Sequence, residues 1–313
     1  MPLKVSFFLF AYNQELYIRE ACEAALAQDY ADLEVVFSDD CSTDRTFEVM
    51  QEVARVYQGP HKIVLNRNRE NQGLIGHVNL SHQISSGDLI VVAAGDDLSL
   101  PHRVSTIVQA YEQSGRRANS IHSSVLKIDA SGQTLGLWHP PLAEKMMQLP
   151  EMALALSLLI GATHAWTREV ATRFGPITQT RAYEDLIIAF RSALLGEIAY
   201  IDKPLVKYRI GLVSLSNWQA PTTADQARQK LVKELRLALA VYRQRLQDCT
   251  TAERDELVAP LQRAITLTQI RLLLAKRRRT FWQLLPRMLQ NSSLLLMLRE
   301  QRRHRRVVKK LTH

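Results

Sequence analysis

The feature that most constrains the fold is a rhythm. Four short apolar runs, at residues 5–10, 33–37, 62–66 and 89–94, alternate with segments whose apolar residues recur at helical spacing. Apolar runs of this length read as strands covered on both faces. Strand and helix alternating at short, regular intervals imply a mostly parallel, doubly wound α/β sheet. In the first helical segment Leu16, Ile18, Ala21, Ala25 and Leu26 share a face, with Asn13 a candidate cap. Segments 45–57 and 76–84 supply the next two helices, the former behind Thr43 or Asp44.

Further on, the pattern predicts a helix from Pro101 to about 114 and a strand at 121–128. A hairpin strand follows at 133–138, across the turn Asp129-Ala130-Ser131-Gly132. A helix at 186–195 and a short strand at 198–201 complete this part. Beyond Pro221 the texture changes to long helices at 224–247 and 253–275, the second kinked at Pro260, then shorter basic ones at 280–290 and 294–310. The expected organisation is an α/β domain over 1–217 and a helical extension over 218–313.

No GxGxxG follows the first strand and no GxxxxGK[ST] appears, which weighs against a dinucleotide-binding oxidoreductase and a P-loop enzyme. The three cysteines, Cys22, Cys41 and Cys249, are far apart and form no CxxC. That argues against a disulfide framework or structural zinc and fits a reducing compartment. The first apolar run is short and leads into Asn13-Gln14-Glu15, unlike a secretory signal. No apolar run reaches the roughly 18 residues a bilayer span needs. A cytoplasmic location is the expectation.

The loops at the strands' carboxyl ends, where open α/β sheets bind ligands, are dense in oxygens. The second strand runs into Ser38-Asp39-Asp40-Cys41-Ser42-Thr43-Asp44 and the fourth into Gly95-Asp96-Asp97. Adjacent carboxylates repel unless a cation or a set of donors compensates, and a hard, phosphate-gripping divalent metal is one such compensator. Asp97 is equally a candidate to start a turn or cap the next helix, and Asp39 and Asp44 are candidates for capping and loop structure.

Phe10-Ala11-Tyr12-Asn13, the Asp39–Asp44 loop, Asn71-Gln72-Gly73, Gly95-Asp96-Asp97 and Glu184-Asp185 occur in that order and at those spacings. Together they resemble family 2 inverting glycosyltransferases of the GT-A fold over about residues 3–217. The resemblance implies that residues 1–100 form a nucleotide-binding half and 101–217 an acceptor half. It also implies that Asp40 accepts from the N3–H of a uracil or thymine base, with Tyr12 against that base. Asp96 and Asp97 would orient the ribose and hold Mg2+ or Mn2+ on the diphosphate. The family's Asp-x-Asp-Asp has Ala94 at its first position here, so metal affinity without nucleotide should be weak.

Asp185 matches the family's catalytic base, and Glu184 is a neighbour that orients the acceptor. Both would also suit a helix N-terminus as structural charges. Tyr208-Arg209, with Ser214 and Ser216, resembles a C-terminal element of the family whose histidine is Gly211 here. Arg209 is a candidate contact for the departing diphosphate or a surface pair. His164, Trp166 and His122 are candidates for the acceptor side or for packing.

The net charge of +9 is uneven: from Arg271 to His313 thirteen Lys and Arg face one acid, Glu300. Phe281, Trp282 and the run Leu294-Leu295-Leu296-Met297-Leu298 lie among these bases. Such segments lie in membrane interfaces, or else pack on a core or an oligomer partner. Nothing in the body points to base readout, so a nucleic-acid partner is not expected.

The sequence thus implies a metal-dependent inverting transferase. It would move a sugar from a nucleotide-sugar, foremost a UDP-sugar, to a saccharide or lipid-linked hydroxyl acceptor in surface polysaccharide or lipopolysaccharide assembly. It would sit on the cytoplasmic face of a membrane through residues 271–313. The alternative is a non-catalytic membrane-associated scaffold with a degenerate domain of the same fold.

Overall fold

The computed structural model describes residues 3–144, 147–211 and 223–276. Ser214, Ser216 and the segments 280–290 and 294–310 lie outside the described residues. The chain divides into two compact units, one of residues 1–180 with 184–217 and one of 181–183 with 218–313.

The first unit is built on one nine-stranded sheet. In chain order its elements open with β1 (Val5–Ala11), α1 (Ile18–Leu26), β2 (Leu33–Asp39), α2 (Thr46–Val56), β3 (Lys62–Arg67), α3 (Gly73–Ile84) and β4 (Leu89–Ala94). Next come β5 (Leu98–Ser99), α4 (Arg103–Gln113), β6 (Ala118–Ile128), β7 (Thr134–Trp138), α5 (Pro141–Glu144) and α6 (Leu149–Leu154). A 3-10 turn at Gly161–Thr163 precedes β8 (Ala165–Thr167), α7 (Arg168–Phe174), α8 (Glu184–Leu195) and β9 (Glu197–Arg209).

The strand order is β3-β2-β1-β4-β8-β6-β9-β5, with β7 on β6. The first four strands pair in parallel, as their connecting helices require. β8 is antiparallel to both β4 and β6 and joins the two halves of the sheet. The core lies between β1, β2, β4 and their helices. Val5, Phe7 and Leu9 point to one face, where Ile18, Ala21, Cys22 and Ala25 of α1 pack.

Several expectations are corrected in detail. Asn13 does not cap α1, which starts at Ile18; it takes a left-handed conformation at φ 52° and its side chain binds the neighbouring loop. The last strand runs for 13 residues rather than four. Strands β5 and β8 are two and three residues long, too short to leave an alternation.

In the second unit, α9 (Ala224–Thr251) and α10 (Val258–Ala275) pack along one another. The helix starts at Val258, so Pro260 lies in its first turn instead of its interior, where a missing N–H has no intrahelical partner to lose.

Candidate active site

The carboxyl ends of β1, β2 and β4 lie side by side. Ala11 is in register with Asp39, and Phe10 with both Ser38 and Ala94. The loops that leave β1 and β2 are stapled together. The backbone N–H groups of Asn13 and Gln14 donate to Ser42 Oγ and Thr46 Oγ1 at 2.8 and 2.7 Å. Thr43 N–H donates back to Asn13 Oδ1 at 2.9 Å. Asp39 is fully buried and accepts from both the N–H and the hydroxyl of Ser42. Asp44 accepts from Thr46 and from the Glu15 N–H. Burial works to raise its pKa, but these donors outweigh it and hold the carboxyl below its ordinary value. Asp39 and Asp44 thus shape the loops.

Asp40 is buried in the same crevice. Its Oδ1 accepts from Asn68 Nδ2 at 2.7 Å and Gln72 N–H at 2.9 Å, and its Oδ2 from Gly73 N–H at 2.9 Å. The carboxylate holds the entry to α3 at the end of β2. Behind it a polar chain runs through Asn68, Asn66 and Ser38 to His77. Burial lowers the His77 pKa to about 4, against the opposing pull of Asp40, so the imidazole is neutral. Tyr12 stands at the mouth, 47% exposed.

Beyond β4 the chain turns tightly, with Gly95 N–H donating to Phe10 O at 2.8 Å. A Cβ on Gly95 would come within 2.5 Å of Gln14 Oε1 and 2.8 Å of Ile18 Cδ1, so a larger residue there would displace these side chains. Asp97 is buried and accepts from the Arg209 N–H at 2.8 Å. Desolvation, reinforced by the charge of Asp96, raises its pKa well above the ordinary value. Burial also raises the pKa of Asp96, opposed by Arg209 and a hydrogen bond from Gln14.

Two buried guanidinium groups answer this pair. Arg103, wholly buried, donates to Ser99 Oγ, Val92 O and Ala162 O at 2.9, 2.7 and 3.0 Å. Arg209 donates to Asp96 O, Asp129 O and Ala130 O at 2.9, 3.2 and 3.0 Å, pairs with Glu20, and stacks 4.6 Å from the centroid of Tyr17. The guanidinium of Arg209 is thereby committed to carbonyls and Glu20; it braces the Asp96–Asp97 turn instead of standing open to a diphosphate.

No group of three or more His, Cys, Asp or Glu poised to hold a metal ion is found among the described residues. The chemistry of the donor set nevertheless fits one kind of metal site. Two adjacent carboxyls whose pKa values stay raised beside these guanidinium groups carry residual repulsion and desolvation, which a divalent cation would relieve. Asp97 spends one oxygen on Arg209, leaving Asp96 as the principal protein ligand. A metal held this way takes its remaining oxygens from a bound diphosphate and water.

Glu184 and Asp185 open α8, and the Leu186 N–H donates to Asp185 Oδ1 at 2.7 Å. Burial, with the charge of Asp185, pushes the Glu184 pKa up to about 8. Gly161 lies directly beneath: a Cβ there would sit 3.1 Å from Glu184 Oε1 and 3.6 Å from Asp185 Oδ2. Its neighbour Ala162 receives the bond from Arg103, which also binds the end of β4. The Gly161–Thr163 turn therefore links the two carboxylate pairs.

His164 and Trp166 do not line this crevice. Both are 1% exposed and face the sheet interior, where His164 bonds Ser120 and Trp166 Nε1 donates to His82 at 3.2 Å. His122 is equally buried, and its pKa is lowered to about 4 by burial. Their packing role follows from β6 and β8 being interior strands. Gln14, Glu20, Arg103 and Gly161 were missed by sequence reading. An arginine six residues past the paired aspartates is the only one of these signals that a sequence displays.

Residues 6–158 match the family described as glycosyl transferase family 2. An uncharacterized glycosyltransferase of Nostoc sp. is 27% identical over 237 residues, 72% of this chain and 70% of the relative. The Escherichia coli UDP-Glc:alpha-D-GlcNAc-diphosphoundecaprenol beta-1,3-glucosyltransferase WfaP is 28% identical over 108 residues, 34% of this chain and 41% of the relative. The match thus spans less than half of that enzyme. Among solved structures, S. aureus TarS in complex with UDP superposes with a TM-score of 0.58 at 15% identity, covering 87% of this chain and 72% of that one. The mannosyltransferase PcManGT from Pyrobaculum calidifontis, in complex with GDP-Man and Mn2+, gives 0.57 at 16% identity, covering 95% and 81%. The ordered motifs, the sheet they sit on and these likenesses agree: residues 6–158 match a glycosyl transferase family 2 domain, and the chain has the GT-A fold.

Proposed function

We propose that this protein is an inverting glycosyltransferase that moves a sugar from a nucleotide-sugar, foremost a UDP-sugar, to a hydroxyl of a saccharide or lipid-linked acceptor in surface polysaccharide assembly. The observation that carries the reading is the convergence of two carboxylate pairs. Asp96-Asp97 lies at the end of β4, and Glu184-Asp185 lies across the Gly161–Thr163 turn.

In this reading Tyr12 and the Asp40 loop receive the base, and Asp96 faces the diphosphate. Mg2+ or Mn2+, when bound at Asp96 with Asp97 behind it, would neutralise charge on the leaving diphosphate. Asp185 removes the proton from the acceptor hydroxyl as its oxygen attacks the anomeric carbon from the side opposite the diphosphate. Glu184, neutral below about pH 8, donates a hydrogen bond instead of adding a second negative charge beside the base. Arg209 and Arg103 hold the Asp96–Asp97 turn in place. The names of the similar proteins support a nucleotide-sugar donor and a polyprenyl-diphosphate acceptor. The basic tail from Arg271 supports peripheral attachment at the cytoplasmic face.

Ala94, in place of the family's first aspartate, favours a second reading, a scaffold that keeps the fold without turnover. Asp185→Asn separates the two. Transfer from a UDP-sugar should fall by about 10²–10⁴-fold while UDP affinity, read by calorimetry, stays within twofold or so of wild type. Equal turnover by the variant contradicts the base assignment, and no turnover by wild type with any nucleotide-sugar supports the scaffold.

A further inference from the structure

The second unit carries a feature that the proposed chemistry does not use. Arg228, Gln229, Val232, Lys233 and Arg236 of α9, with Ala275 and Lys276 at the end of α10, line a groove of about 450 Å³. Positions 228, 232 and 236 recur every four residues, as do 229 and 233, so one stripe of α9 presents them all. Four cationic side chains from two helices therefore share one concavity. The acid that answers them is Asp225, paired with Arg228 at 2.6 Å. No carboxylate pairs with Lys233, Arg236 or Lys276 among the described residues.

Like charges gathered around one concavity repel, and an anion placed among them relieves the repulsion. Val232 and Ala275 give the groove an apolar floor, along which the Lys and Arg stems can lie with their charged ends raised. Among the described residues no aromatic side chain lines it, so these residues offer no stacking platform for single-stranded nucleic acid. The sequence continues from Lys276 into Arg277-Arg278-Arg279 and the bases beyond, which would draw the unit towards a negative surface.

We infer that this groove binds the phosphate or diphosphate head group of a lipid. The inference extends the membrane reading from a basic tail to a formed anion site, and it stands apart from the donor chemistry of the first unit. An anionic phospholipid and a lipid-linked acceptor present the same chemistry to it.

The test uses the full chain and two charge-reversed pairs. Lys233→Glu with Arg236→Glu alters the groove. Arg243→Glu with Arg263→Glu changes net charge equally at exposed positions of the same two helices outside it. Binding is measured by flotation with phosphatidylcholine vesicles with and without phosphatidylglycerol, and by titration of inorganic pyrophosphate. The groove pair should lower affinity for the anionic vesicles by about tenfold or more, and the control pair by about threefold or less. Pyrophosphate competition that disappears in the groove pair assigns a compact phosphate site. Vesicle binding without such competition, still lost in the groove pair, assigns head groups held at a surface. Equal losses in the two pairs, no loss in either, or a preference for a single-stranded oligonucleotide overturns the inference. UDP titration and circular dichroism on the same samples keep misfolding and a failed donor site distinct from a failed groove.

Discussion

Glu184 and Asp185 are chain neighbours placed in different electrostatic circumstances. Glu184 is driven up to about 8 by burial and by the charge of Asp185, so near neutrality it adds no negative charge of its own. This has a consequence for stability. The folded chain holds a proton on Glu184 that the unfolded chain releases near its ordinary value of 4.5. Stability from this residue is therefore complete below about pH 4.5 and is lost as pH rises through about 8. Glu184→Gln removes the titrating group and keeps a donor. Relative to wild type, the variant should gain thermal stability progressively between those two pH values, read from melting curves across the range. A stability difference independent of pH would contradict a raised Glu184. Transfer by the variant should also lose whatever alkaline limb Glu184 contributes to the rate profile.

At the scale of elements, β9 matters more than its length in the sequence pattern indicates. Its last residue, Arg209, ties β9 to the Asp96–Asp97 turn, to the β6–β7 turn and to Glu20 on α1. Arg209→Met should cost roughly 3 kcal/mol in urea unfolding, since several charge-assisted bonds from a buried guanidinium to part-buried carbonyls vanish together. Arg209→Lys should recover little, because an ammonium cannot reproduce the fork. Unchanged stability with reduced UDP affinity would instead mean that Arg209 touches the diphosphate.

This bracing also shows why parts of the site were legible in the sequence and parts were not. Strands β1 to β4 announce themselves because each is an apolar run followed by a turn and a helix. Asp96, Asp97 and Asp185 stand out because they follow such elements at family spacing. Gln14 and Gly161 do not, since their roles come from partners 82 and 23 positions away in Asp96 and the Glu184 carboxyl, and Arg103 shows only as an arginine near the aspartates, its role coming from Ala162, 59 positions away. His164 and Trp166 take the packing alternative that the sequence left open beside the acceptor side. Functional side-chain types looked available for ligand contact, but β8 is an interior strand, and interior strands bury whatever they carry.

For the molecule as a whole, the two carboxylate pairs belong to the first unit and a basic groove to the second. The charge distribution matches that division, with the excess of bases after Arg271 set against a body that is slightly acidic. No helix among the described residues is long and apolar enough to cross a membrane; the attachment proposed above rests on charge and interfacial apolar residues. The central claim concerns the first unit: the Asp96–Asp97 turn is a donor site that takes its metal together with a nucleotide diphosphate. Calorimetric titration of UDP, dTDP and GDP into wild type and Asp96→Ala, with Mn2+ and with chelator, tests it most directly. The account predicts binding of one of these nucleotides that requires Mn2+ and weakens about tenfold or more in Asp96→Ala, the loss of a principal metal ligand. Binding that is indifferent to metal and to Asp96, or no binding of any of the three by folded wild type, would contradict it.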